Sequence, residues 1–102
     1  MEAFDPQILT LEEHHPGDLL PGGAIHSLVW GRDTTAGNVA AFLKKVDADW
    51  LITGHIPCEH GFATPNERQL ILDCMREPAA YCLVSIDRPL TLQDLIDGVK
   101  ML

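Results

Sequence analysis

The sequence predicts an α/β fold, and three observations carry that prediction. Val39, Phe42, Leu43 and Val46 make a helix-period stripe. Three short runs of strand-forming residues follow, at 50–53, 68–74 and 80–86. A capped helical pattern then closes the chain from Thr91. The order helix, strand, strand, strand, helix describes a layered unit and not a repeat array or a bundle.

The elements follow in chain order. Residues 1–23 are rich in Pro, Gly, Glu and His (EEHHPG at 12–17, PGG at 21–23). They lack sustained periodicity and read as a loop-rich arm before an α/β unit over 24–102. Residues 24–30 form a short apolar run that periodicity alone does not assign between strand and helix. The stripe from Val39 to Val46 has an N-cap at Thr34 or Thr35, and Lys44 and Lys45 suit the negative end of the helix dipole. Trp50-Leu51-Ile52-Thr53 reads as a buried, central strand ending in Gly54-His55, and 56–66, with two prolines, reads as a loop. The runs RQLILDC (68–74) and AYCLVSI (80–86) are most simply a hairpin joined through 75–78. Thr91 caps the last helix with Asp94 three residues on, and Leu92, Leu95, Ile96 and Val99 form its apolar face.

Composition narrows the function. The chain has 102 residues, enough for one domain, and 46% of them are apolar, enough for a core. The apolar runs are too short to span a bilayer. Met1-Glu2-Ala3-Phe4-Asp5 has no basic stretch of the signal-peptide kind, so a cytoplasmic protein is expected. A net charge of −8 argues against a nucleic-acid partner, which needs a basic footprint. Cys58, Cys74 and Cys82 form no disulfide framework, and Cys74 and Cys82 read as reduced core residues.

The ordered features from Val29-Trp30 onward carry a family resemblance. Val29-Trp30 precedes a helix ending FLKKVDAD; WLITGH, CEHGF, RQLIL and YCLVSID follow at near-constant spacing. Over residues 28–87 this resembles the C-terminal part of the phosphoprotein (Ser/Thr) phosphatase family of calcineurin-like metallophosphoesterases. The resemblance implies a partial metallophosphoesterase-like sandwich. It also implies that His55 is a ligand of a dinuclear centre of divalent metal (Mn, Fe, Zn or Mg). Such a centre polarises a phosphoryl group and activates a water. Arg32 matches an arginine that clamps the substrate phosphate, for which a guanidinium fork is suited. The expected substrate is a phosphoprotein or other phosphoester.

The sequence departs from that family in three places. The Asp-x-His, Gly-Asp-x-x-Asp-Arg-Gly and Gly-Asn-His-Glu motifs that supply the other ligands are missing. The loop around Arg32 is shorter, and the connection at 75–78 lacks the aromatic that borders the family's cleft. A C-terminal fragment or a reduced, inactive relative is therefore expected. Half a sandwich would also leave an apolar sheet face to be covered by a second copy, by the missing half or by the 1–23 arm.

Other readings of the same residues stay open. Arg32 also reads as a solvent residue paired with Asp33. His55, Cys58 and His60 have the spacing of a zinc cluster, with His14 or His15 as a fourth ligand, although Pro57 fits that poorly. Cys58 reads as a candidate reactive thiol, with nothing cationic nearby to lower its pKa. The whole chain also reads as a non-enzymatic interaction domain that self-associates or binds a partner protein.

Overall fold

The structure, a computed structural model, describes residues 5–102 and is α/β. The residues that bear on a signal peptide lie, up to Phe4, outside the described ones. The chain divides into two compact units, Met1–Asp49 and Trp50–Leu102.

The first unit is helical. Two 3-10 turns, Pro6–Thr10 and Pro16–Leu19, give the arm local order that its lack of periodicity had hidden. Each has proline in its first turn, where a missing N–H costs nothing. Asp5 Oδ1 accepts from Gln7 N at 3.0 Å, and His15 Nδ1 accepts from Gly17 N at 3.0 Å. The run at Ala24–Trp30 is a helix, α1. Helix α2 spans Ala36–Val46, with Thr35 as N-cap and Asp47 in the left-handed conformation at its end. Val39 and Leu43 of the predicted stripe are buried, Phe42 is half-buried and Val46 is exposed.

The second unit is built on two small sheets. Strands β1 (Leu51–Thr53), β2 (Phe62–Asn66), β3 (Gln69–Leu72) and β4 (Ala80–Cys82) precede helix α3 (Leu92–Gly98) and strand β5 (Val99–Met101). One sheet has the order β1-β3-β2, with β1 parallel and β2 antiparallel to β3; the other pairs β4 with β5, antiparallel. Consecutive residues Gln69, Leu70 and Ile71 are all buried, so β3 is covered on both faces. The buried amide of Gln69 is satisfied at both ends: Oε1 accepts from Asn66 Nδ2 at 3.0 Å, and Nε2 donates to Thr53 Oγ1 at 3.1 Å. Leu70, Ile71, Ala79, Ala80 and Leu95 make the apolar core of this unit. Thr91 and Asp94 form the predicted reciprocal cap of α3.

Several expectations are corrected. The 68–74 and 80–86 runs do not pair as a hairpin: β3 takes β1 and β2 as neighbours, and β4 takes β5. The expected loop at 56–66 contains β2, whose register slips between Ala63 and Asn66. Pro65 in that span has no N–H for a regular ladder, which an edge strand tolerates. The strand β1 is an edge strand and not a central one, and Ile52 is 47% exposed. Val99 leaves the helix to begin β5, because the chain must turn back along β4. Cys74, expected in the core, is exposed just beyond β3. No helix among the described residues is long and apolar enough to cross a membrane.

Candidate functional site

The parallel pairing of β1 with β3 brings two carboxyl ends together. Thr53 lies opposite Ile71, and a Cβ placed on Gly54 would stand 3.6 Å from the Leu72 carbonyl oxygen. The loop carrying His55, Cys58 and His60 leaves from this end. Ligands collect beyond the carboxyl ends of strands in open α/β sheets, so this is where a site is expected.

His55 stands directly after Gly54 with φ 66°, in the left-handed region that histidine visits more readily than bulkier residues do. It is exposed, and its imidazole makes no hydrogen bond or ion pair among the described residues. A ligating histidine ordinarily donates its other ring N–H to an oxygen that fixes its orientation. Nothing here does that.

The loop itself is held by a residue of the RQLILDC run. Asp73, at the end of β3, is buried. Its Oδ2 accepts from Cys58 N at 2.9 Å and its Oδ1 from Met75 N at 3.1 Å. Its own N–H donates to Gly61 O at 2.8 Å, and its carbonyl accepts from Ala80 N at 3.1 Å. The Cys58 and Met75 amides, aided by Arg76, hold the Asp73 carboxyl below the usual carboxylate range. The bond to Met75, two residues on, is an Asx turn, and an Asp followed by a short, Pro-containing connection is its only sequence signal.

The residues of the zinc reading are not brought together as a metal-binding group among the described residues. Cys58 Sγ donates to Ile56 O at 3.3 Å. Burial, and then the Asp73 charge, push its thiol pKa up, away from the thiolate that metal binding requires. His60 is exposed, and His15 Nδ1 is engaged with Gly17 N. Among the described residues, no three His, Cys, Asp or Glu side chains come together to hold a metal ion. The residues present therefore do not fit the dinuclear centre that the resemblance implies, because a single unsupported imidazole is too few ligands.

Arg32 belongs to the helical unit, where it closes the end of α1. Its Nη1 donates to Gly31 O at 2.9 Å and to Val29 O at 3.3 Å, as a cation at a helix C-terminus does. Asp33 instead accepts from Thr35 N at 3.0 Å, and this bond and the Thr35 hydroxyl keep its carboxyl below the usual range. No family model, curated protein or solved structure matches the chain.

Proposed function

We propose that the chain is a C-terminal fragment or a reduced relative of a metal-dependent phosphoprotein phosphatase that does not turn over phosphoesters by itself. One observation carries this reading: Gly54-His55 leaves the carboxyl end of a parallel strand pair, with no companion ligands beside it among the described residues. The position is where an α/β phosphoesterase would present a metal ligand, and a two-metal site needs several further ligands. A completed site would take a divalent metal (Mn, Fe, Zn or Mg) and a phosphoprotein or phosphoester substrate.

Two measurements test this. Para-nitrophenyl phosphate with manganese or magnesium should show no hydrolysis above background; turnover that copurifies with the protein and disappears in His55→Ala would refute inactivity. Manganese titrated into isotope-labelled protein should broaden signals around His55 first, and weakly, and His55→Ala should remove the effect. Broadening elsewhere with none at His55 would remove the metal-ligand reading.

The non-enzymatic interaction domain is a second reading, favoured by exposed apolar side chains such as Met75, Leu83 and Ile86, the last 93% exposed. Light scattering across a dilution series tests its self-associating form: mass that stays monomeric at every concentration excludes it.

A further inference from the structure

The sheet β4–β5 and helix α3 border a second feature, whose lining includes no residue of the His55 loop. Residues 83–90, running on from β4, form one wall of an open cleft of about 330 Å³, and α3 with β5 forms the other. Gly98 makes the two walls meet closely: a Cβ there would fall 2.3 Å from the Leu83 carbonyl oxygen. The volume lies at the small end of ligand pockets, so a compact molecule is the matching size.

The charges in the cleft are not equivalent. Arg88 is committed: Nη1 and Nη2 bind Asp94 Oδ2 and Oδ1 at 3.0 and 2.9 Å. Asp94 is also saturated, since Oδ2 accepts from the Thr91 N–H and hydroxyl as well. Lys100 and Asp97 are not saturated. Among the described residues Lys100 Nζ donates only to the Asp97 carbonyl oxygen, at a long 3.4 Å. Asp97 Oδ1 accepts from Gln93 Nε2 at 2.8 Å, and its other oxygen takes no bond among them. Beside this available cation and anion, Leu83 and Leu90 supply apolar lining.

We propose that this cleft binds a small zwitterion with an aliphatic side chain, of the free α-amino acid class. Lys100 would hold the carboxylate, Asp97 the ammonium, and Leu83 with Leu90 the side chain. The four charged groups that line the cleft, Arg88, Lys100, Asp94 and Asp97, sum to zero, which suits a balanced ligand better than a simple anion or cation. His55 does not line the cleft, and the proposal does not depend on the phosphatase reading.

The experiment is a titration of isotope-labelled full chain with L-leucine, followed by amide chemical shifts. Two half-molecules serve as comparisons: 4-methylpentanoate, which keeps the carboxylate, and isopentylamine, which keeps the ammonium. Saturable shifts at Leu83, Asp97 and Lys100 are expected with L-leucine, and binding about tenfold weaker with either half-molecule. Lys100→Met and Asp97→Asn each should weaken leucine by about tenfold while the spectrum stays folded, since both residues are exposed and Asn keeps an acceptor for Gln93. Absence of saturable shifts, equal binding of either half-molecule, or binding unchanged in both variants would overturn the assignment.

Discussion

Strands β3 and β4 begin as similar apolar runs and end in different circumstances. In β3, Gln69, Leu70 and Ile71 are buried in succession between two partner strands. In β4, Ala80 is buried but Tyr81 is 40% exposed, and Leu83 just beyond it 64%. β4 has one ladder partner, contributed by the last residues of the chain. The difference teaches that apolar content does not choose a strand's place in a sheet. For β3 the choice rests on Gln69, which ties to Asn66 and Thr53, and on Asp73, which clips the neighbouring loop across the strand end.

The largest expected effect comes from breaking the central strand. Leu70→Ala removes a side chain that is 0% exposed and should destabilise the protein by about 2–5 kcal/mol in denaturant unfolding. A loss below about 1 kcal/mol would show that the core sits elsewhere.

The ribbon is next. Gly98→Ala forces a Cβ against the Leu83 carbonyl and should cost about 1–3 kcal/mol by strand displacement. Amide exchange at Leu83, whose N–H donates to Gly98 O, should rise more than exchange in β3; equal increases would mean the two sheets open as one.

Thr91→Ala removes the hydroxyl that caps α3 and should cost about 1 kcal/mol. Its signature is fraying of α3 with β3 unaffected, visible in the same exchange experiment.

Acid should separate the regions only gently. Arg88, then the Thr91 amide and hydroxyl, hold the Asp94 carboxyl far below its ordinary value of 3.8. Its folded pKa is depressed, so its stabilisation is full above the unfolded value and is lost as pH falls through the folded one. Melting temperature should therefore decline below about pH 4, and Asp94→Asn should flatten that decline. A slope unchanged in the variant would assign the acid response to Asp73 or Asp33, whose carboxyls are also held low. The smallest effect belongs to Ile86→Ser, within about 0.5 kcal/mol, because the residue is 93% exposed; a larger loss would reveal a contact in self-association.

The candidate site was legible only in its landmark. Gly54-His55 marks a strand end in the sequence, and β1 does end at Thr53. The buried role of Asp73 was not legible, since the Cys58 amide that its carboxylate holds lies 15 residues away in sequence and reaches it only through the tertiary fold. The guanidinium of Arg32 could be read as a phosphate clamp or an ion pair. Its observed partners are backbone carbonyls, which any residue type presents.

What the sequence determined alone was local. The α/β class, the stripe of α2, a cap at Thr34 or Thr35, the cap at Thr91 and the existence of β1, β3 and β4 all follow from interactions spanning four residues or fewer, which pattern and capping chemistry encode directly. Tertiary structure decided which strands pair. The 68–74 and 80–86 runs are adjacent and apolar, so a hairpin satisfies every local rule. Yet β3 pairs with β1, 18 residues away in register from Leu51 to Gln69, and β4 with β5. Strand pairing is set by which backbone edges and buried faces are satisfied together across the whole unit, and no short window of sequence contains that information.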